Sequence, residues 1–450
     1  MKKIVALVLS LCMVFALVAC NADGTVDEKK VEEVAAQVQA AVQEAAAAEP
    51  AAAEPAPAEP ASEPAAEPAE PVSMTLALRG GTYATVIQDC LAEFEAENNC
   101  KIEVLALEED DLHSKIALDA ANTEGAYDLV MVDGSWKAEL IDAEALLDLS
   151  KYGYSFDDDV IPATTAVSFG ADGGLYLAPY YGNVTVLMFS KDLATAAGYT
   201  GDGDIASMDD VLKICQAAQA AGQKGFIYRG DTPNNCVVDF MPILYSFGAK
   251  VIEDDNTPNV NSEAWKTALN FYLELAKTGD AEKKDDLIAS VNTGAGAMGI
   301  GWPGWYAGTD HDKTAICAIT GVAHAGDAAN LSNVYGIWTI GVPANAKNPE
   351  LSVKLLSYLM DKDVQYKTVD NGGVPCRYSS LKDAKVLEAH PEFSVICDAL
   401  EVGVYRPFIT QWTDYYTALG TELSNIFNGV KTVDQGLADA QAQLEIVMAG

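Results

Sequence analysis

Between Gly299 and Tyr306 the chain reads Gly-Ile-Gly-Trp-Pro-Gly-Trp-Tyr, which sets Trp302 and Trp305 among three glycines and a proline. Glycine frees the backbone and proline interrupts a strand, so the pattern predicts a strand ending in a loop that presents two large rings beside bare main chain. Rings held this way suit contact with a small molecule, with core packing as the alternative. Two other segments share the character. Gly80-Gly81-Thr82-Tyr83 stands between a strand pattern and a helical one, placing backbone N–H groups at a helix start, unless it is a plain tight turn. Asp133-Gly-Ser-Trp136 follows the apolar run Leu129 to Val132, and Asp133 there is placed to accept hydrogen bonds from paired hydroxyls. Trp338 and Trp412 also lie near glycine, proline or polar turns and are weaker candidates, whereas Trp265 falls on a helical face and is assigned to packing. Arg377, in a glycine-rich loop, has the fork to hold a hydroxyl or carboxylate, or to pair with one of the 66 acids. Flat rings with planar polar groups fit a ligand that offers both hydroxyls and apolar C–H faces.

Catalytic readings find little support. His113, His311, His324 and His390 are scattered without the i, i+4 spacing of a metal pair. There is no Gly-x-Ser-x-Gly turn and no Gly-Lys-Ser/Thr phosphate loop, and Gly80-Gly81 lacks dinucleotide-fingerprint spacing. Carboxylates are numerous enough that composition alone leaves a glycosidase pair open, but no motif marks one. Asp157-Asp158-Asp159 and Asp285-Asp286 lack the punctuation of a calcium loop. No cofactor or metal is implied. Aromatic walls near carboxylates also suit a cationic ligand such as a polyamine, whose capture would weaken with salt.

The elements that must position these residues alternate in period. Met74 to Leu78 reads as a strand, Val86 to Phe94 as a helical stripe, Ile102 to Ala106 as a strand, Leu112 to Ala120 as a helix and Leu129 to Val132 as a buried strand. Such alternation predicts an α/β fold with parallel sheets covered by helices on both faces. Further on, Asn261 or Ser262 caps a helix carrying Trp265, Ala268, Leu269, Tyr272 and Leu275, ended by Gly279, and Asn348-Pro349 opens another with Val353, Leu356 and Leu359 inside. Short strands are expected at 297–300, 315–319 and 336–340. Residues 74–450 exceed what one hydrophobic core usually covers, so two lobes are expected.

What precedes them is different. Lys2 and Lys3, an apolar run to Val18 and Leu-Val-Ala-Cys20 have the layout of a secretory signal over 1–20, too short to span a membrane comfortably. Residues 21–73 carry 12 acids against two lysines and no aromatic, ending in repeated Glu-Pro: a solvated, stiff tether reaching on the order of 100 Å. The formal charge of −38 divides into +2 for the leader, −10 for the tether and −30 for the body, which argues against nucleic acid and anionic lipid as partners. Seven body cysteines without a Cys-x-x-Cys pair read mostly as buried small hydrophobes, with one or two bridges left open.

Gly174-Leu-Tyr-Leu-Ala-Pro-Tyr-Tyr-Gly-Asn183, then Ser190-Lys-Asp-Leu193, the Trp265 helix, the Gly294–Trp305 segment, Gly341-Val-Pro-Ala344 and Gly372-Gly-Val-Pro-Cys-Arg377 follow one another in an order and spacing that resemble the carbohydrate-type extracellular solute-binding proteins, the family of maltose-binding protein. The resemblance covers about 74–448; Ser190 and Cys376 depart from the family's usual wording. It implies two doubly wound lobes joined by a multi-crossover hinge, a type II periplasmic-binding-protein fold. The N-lobe would comprise 74–181 plus 342–382, and the C-lobe 183–341 plus 383–450. It places Tyr181 and Asn183 at the first crossover, as hinge or ligand contacts, and makes Gly81, Thr82 and Tyr83 part of the first ligand loop. A carbohydrate or polyol would link Tyr83 and Asp133 on one lobe to Trp302 and Trp305 on the other. The closed protein would dock on the membrane subunits of an ATP-binding-cassette importer, as a monomer without cofactor. Cys20 resembles a lipidation site, implying an anchor on the outer face of the cell membrane, of Gram-positive type. A cell-surface sensory or adhesion module using the same cleft is the alternative from another class.

Overall fold

The computed structural model describes residues 70–201, 203–319 and 332–450. The expected leader, Cys20, nearly all of the tether and His324 lie outside the described residues. Nine strands are described: β1 (Val72–Arg79), β2 (Cys100–Leu107), β3 (Leu129–Asp133), β4 (Ala178–Tyr181), β5 (Val186–Ser190), β6 (Lys224–Ile227), β7 (Gly296–Gly301), β8 (Thr314–Cys317) and β9 (Trp338–Gly341), and they divide between two sheets.

The first sheet has the order β2-β1-β3-β9-β4. β1 runs parallel to β2 and β3, while β9 is antiparallel to both β3 and β4. Pairing begins at Val72 opposite Cys100, so the fold starts inside the expected tether, two residues before Met74. The second sheet has the order β6-β7-β5-β8, with β6 and β7 parallel and β5 antiparallel to its two neighbours. β3, β5 and β7 are buried along their whole length, as strands covered on both faces must be.

The helices follow the predicted signals. Ser262 caps Glu263–Ala276 by accepting from the Trp265 N–H at 3.4 Å, and Trp265, Ala268, Leu269, Tyr272 and Leu275 form its buried face. The Trp265 indole donates to the Lys250 carbonyl at 2.7 Å, so this ring is core with its one polar atom satisfied. Pro349 sits in the first turn of Pro349–Leu359, where no N–H is required, and Val353, Leu356 and Leu359 face inward. The seven described cysteines are all unpaired, six of them buried, and burial drives the thiols of Cys236 and Cys376 up to about 12. No helix among the described residues is long and apolar enough to cross a membrane.

The lobes are joined by three crossovers that pair with each other. Val184 bridges Tyr335, and Val334 bridges Val404. The Thr185 N–H donates to the Val334 carbonyl at 2.9 Å, Tyr335 N–H to Val404 at 2.9 Å, and Val404 N–H to Asn333 at 2.8 Å. This arrangement displaces two expected boundaries. β9, expected in the second lobe as part of 183–341, is hydrogen-bonded between β3 and β4 of the first sheet. The helix Glu392–Val402, expected with the second lobe as part of 383–450, buries Phe393, Ile396 and Leu400 in the first lobe's core with Val353 and Leu356. The chain returns to the second lobe only after Val404, and the helix Trp412–Phe427 then packs on Pro233–Ser246. Helical periodicity reveals which face is apolar but not which of two cores receives it.

Candidate ligand-binding site

The parallel strands of both sheets deliver residues to one cleft. In open α/β sheets the carboxyl ends of parallel strands leave a crevice where ligands bind. β1 ends at Arg79, β2 leads into Glu108 and Glu109, and β3 ends at Asp133. From the other lobe, β6 leads to Arg229 and β7 to Trp302 and Trp305. All of these line a cavity of about 310 Å³.

Asp133 begins a short 3-10 turn, and three donors converge on its Oδ1: the Ser135 N–H at 2.9 Å, the Ser135 hydroxyl at 2.7 Å, and Arg406 Nη2. Oδ2 accepts no hydrogen bond among the described residues and is available as an acceptor at the cavity. Arg229 is held similarly, its Nε donating to Asp239 Oδ2 at 3.1 Å and its Nη2 to Oδ1, while its guanidinium lies 4.9 Å from the centre of the Trp305 ring. Burial works against both guanidinium charges, yet the facing carboxylates of Asp239 and Asp133 keep Arg229 and Arg406 more firmly protonated than usual. Arg79 pairs with Glu108 at 3.0 Å near the rim, and Lys284 points toward Trp305 at 6.0 Å. Burial, followed by the nearby Asp133 charge, pushes the Glu109 carboxyl toward its neutral form.

The aromatic walls are packed to fixed positions. Trp302 and Trp305 stand 6.4 Å apart at 72°, and Tyr83 contacts Tyr181 at 4.7 Å and Trp338 at 5.6 Å. A side chain at Gly336 would meet the Trp302 ring at 2.6 Å, so the glycine lets Trp302 lie directly on the second crossover. Gly81 turns the chain into the helix Thr82–Gln88 with φ of +76°, a conformation few L residues adopt. Asn183 is buried at the cavity wall with its Oδ1 lacking any hydrogen-bond partner. An unpaired buried amide oxygen is costly, and a ligand hydroxyl would satisfy it.

Gly81, Thr82, Tyr83 and Asp133 thus line one cavity together with Asn183, Trp302, Trp305 and Trp338. Four expected contacts do not reach it. Trp136 stacks on His113 at 4.6 Å and supports Trp338 edge-on at 5.5 Å from behind. Tyr181 donates to the Gly372 carbonyl at 2.7 Å and braces Tyr83. Arg377 is buried in a network of its own, with Nη1 on both Asp157 oxygens at 2.7 Å, Nε on Gln365 at 2.6 Å and Nη2 on the Met360 carbonyl. Trp412 stacks with Tyr415 inside the second lobe. The residues that sequence reading missed are Arg79, Glu108, Glu109, Arg229, Lys284 and Arg406, together with Asn234 and Asn235. A signal existed: the chain has only four arginines, and three of them line this cavity.

Two α/β lobes, three paired crossovers and one polar, aromatic cleft at the strand ends define a type II binding-protein architecture. The chain belongs to the bacterial extracellular solute-binding protein family, whose model matches residues 77–366. Among curated relatives, it is 23% identical over 384 residues to a probable amino-acid ABC transporter periplasmic-binding protein, y4oP, of Sinorhizobium fredii, covering 81% of this chain and 86% of that one. It is also 23% identical over 390 residues to the mannitol-binding protein of Pseudomonas aeruginosa, covering 77% and 86%. Among solved structures, a ribitol complex of an ABC transporter solute-binding protein from Agrobacterium radiobacter superposes with a TM-score of 0.73 at 21% identity, over 84% of this chain and all of that one. Maltose-bound MalE3 of T. maritima gives 0.73 at 20% identity, covering 83% and 99%.

Proposed function

We propose that this protein captures a carbohydrate or polyol between its lobes and delivers it to the membrane subunits of an ATP-binding-cassette importer, without chemistry on the ligand. The observation that carries the proposal is the cleft, where Tyr83, Trp302, Trp305 and Trp338 surround hydrogen-bonding groups held rigid by ion pairs. Hydroxyls both donate and accept, and the cleft offers both: guanidinium donors beside the Asp133 and Asn183 acceptors. A cavity of about 310 Å³ is at the small end for ligand sites, which favours a single sugar unit or a short polyol. The mannitol-binding relative and the ribitol complex support the same class. A polyamine is disfavoured because Arg229 already stands over Trp305. Ligand contacts from both lobes would bias an existing equilibrium toward the closed form.

The N-terminal pattern ending at Cys20 supports a lipid anchor on the outer face of the cell membrane, with 21–71 as tether; the proposed working unit is a monomer. The proposed lobes are 72–181 with 338–402, and 186–319 with 406–450, the segments between them serving as hinge.

A thermal-shift screen of the purified chain against sugars, polyols, amino acids and polyamines tests this reading. A saturating sugar or polyol at ~100 times its dissociation constant adds about 2.7 kcal/mol. A response confined to amino acids or polyamines would overturn it.

A further inference from the structure

The charge of the cleft is out of keeping with the rest of the molecule. The body carries a net −30, yet the cavity lining holds four cations, Arg79, Arg229, Lys284 and Arg406, against Glu108, Glu109 and Asp133. Two of those cations are neutralised at the floor, Arg406 by Asp133 and Arg229 by Asp239 behind it. The other two are not comparably held. Glu108, the partner of Arg79, has a side chain 80% exposed, and such rim pairs are weak and easily exchanged. Lys284 has no carboxylate within ion-pair distance among the described residues, only the Trp305 ring. Arg79 belongs to the first lobe and Lys284 to the second, at the start of Lys284–Thr293. A ligand anion between them would add an attraction across the cleft that exists only when the lobes are closed.

We infer that the ligand of this cleft is a sugar acid, a uronate or aldonate of one sugar unit whose carboxylate is met by Arg79 and Lys284 while its hydroxyls engage Asp133, Asn183 and Arg406. The inference rests on the carbohydrate reading above and narrows it. A monoanion matches one uncompensated cation; a phosphorylated sugar would bring up to two charges into a site that also holds Glu108 and Glu109. Burial, followed by the adjacent Asp133 charge, shifts Glu109 toward its neutral form, which lessens its opposition to the carboxylate. The small cavity favours one sugar unit over acidic oligosaccharides.

The test is titration calorimetry of the full chain with matched pairs: galacturonate and galactose, glucuronate and glucose, gluconate and glucitol, with a sugar phosphate and free amino acids alongside. One acid is expected to bind about tenfold or more tightly than its neutral partner, a difference of about 1.4 kcal/mol. That preference should shrink between about 0.1 and 1 M salt as screening sets in. Lys284→Gln, an exposed position whose loss spares the fold, should lower the acid-to-neutral affinity ratio about tenfold, whereas Lys284→Arg should largely preserve it. Equal or tighter binding of the neutral partner overturns the sugar-acid inference and leaves the carbohydrate reading intact. Preference for the sugar phosphate also overturns it. Binding of amino acids alone overturns both.

Discussion

Arg406 Nη2 donates to Asp133 Oδ1, joining the residue that ends β3 to the first cation after the third crossover. Both side chains are almost wholly buried, and both line the ligand cavity. One contact thus ties the floor of the first lobe to the segment by which the chain leaves it for the last time.

Removing either partner strands the other's charge. Arg406→Met should destabilise the protein by about 3–5 kcal/mol, as uncompensated buried charges do. Asp133→Asn combined with Arg406→Met should recover much of that loss in denaturant unfolding while ligand binding stays abolished. If the double variant unfolds at the same denaturant concentration as Arg406→Met alone, stranded charge is not the cause.

Gly336→Ala tests the seat of Trp302, and its methyl would also stand 3.2 Å from the Asn183 amide nitrogen. The added methyl would lie 2.6 Å from the ring, so the indole must shift. We expect a stability cost of about 1–3 kcal/mol, typical of overpacking, and a loss of affinity of roughly tenfold, corresponding to about 1.4 kcal/mol. Unchanged affinity in calorimetry would show that Trp302 does not touch the ligand.

Glu109 gives the unliganded protein a pH dependence of predictable sign. Its carboxyl is raised above the ordinary range by burial and then by Asp133, so the native state binds more protons than the unfolded state at pH values between the two ionisations. Stability from this group is therefore present below the ordinary glutamate range and is lost as pH rises through the folded-state value. Glu109→Gln should raise the melting temperature at neutral pH and leave it little changed near pH 4. A lower melting temperature for the variant at neutral pH would reverse the argument.

Arg377 separates folding from binding. Its partners Asp157, Gln365 and the Met360 carbonyl all lie away from the cavity. Arg377→Met should cost about 1–3 kcal/mol in chemical denaturation, because the buried Gln365 oxygen and the Met360 carbonyl lose their donor, with the dissociation constant of the surviving native protein unchanged. A weakened ligand affinity at temperatures where the variant is folded would return Arg377 to the site.

The alternation of strand and helix was readable because burial imposes periods on local sequence, and Trp302, Trp305 and Asp133 were readable because a strand end followed by glycine leaves a side chain at the surface of a sheet. Arg406 was not, since its partner lies 273 residues away and nothing local distinguishes it. Trp412 was misplaced by its polar neighbours, although Tyr415, Leu419 and Leu423 follow it at helical spacing and mark a core face. Trp136 and Tyr181 illustrate a subtler limit. Both stand next to cavity-lining rings, but whether a ring fronts a cavity or braces the one that does is settled by a few ångströms of packing.

The position of β9 has a consequence for how the molecule comes into being. Among the described residues β4 has no strand neighbour other than β9, and the entire second sheet lies between the two in the chain. As the polypeptide emerges N-terminus first, β4 must wait with both edges open until Trp338–Gly341 appears, and β3 keeps one edge open for the same interval. Unpaired strand edges invite pairing with other chains. The first lobe to begin thus cannot close its sheet before the second sheet has been fully threaded, and the vulnerable period of this protein's biogenesis is set by the length of the excursion between its first and second crossovers.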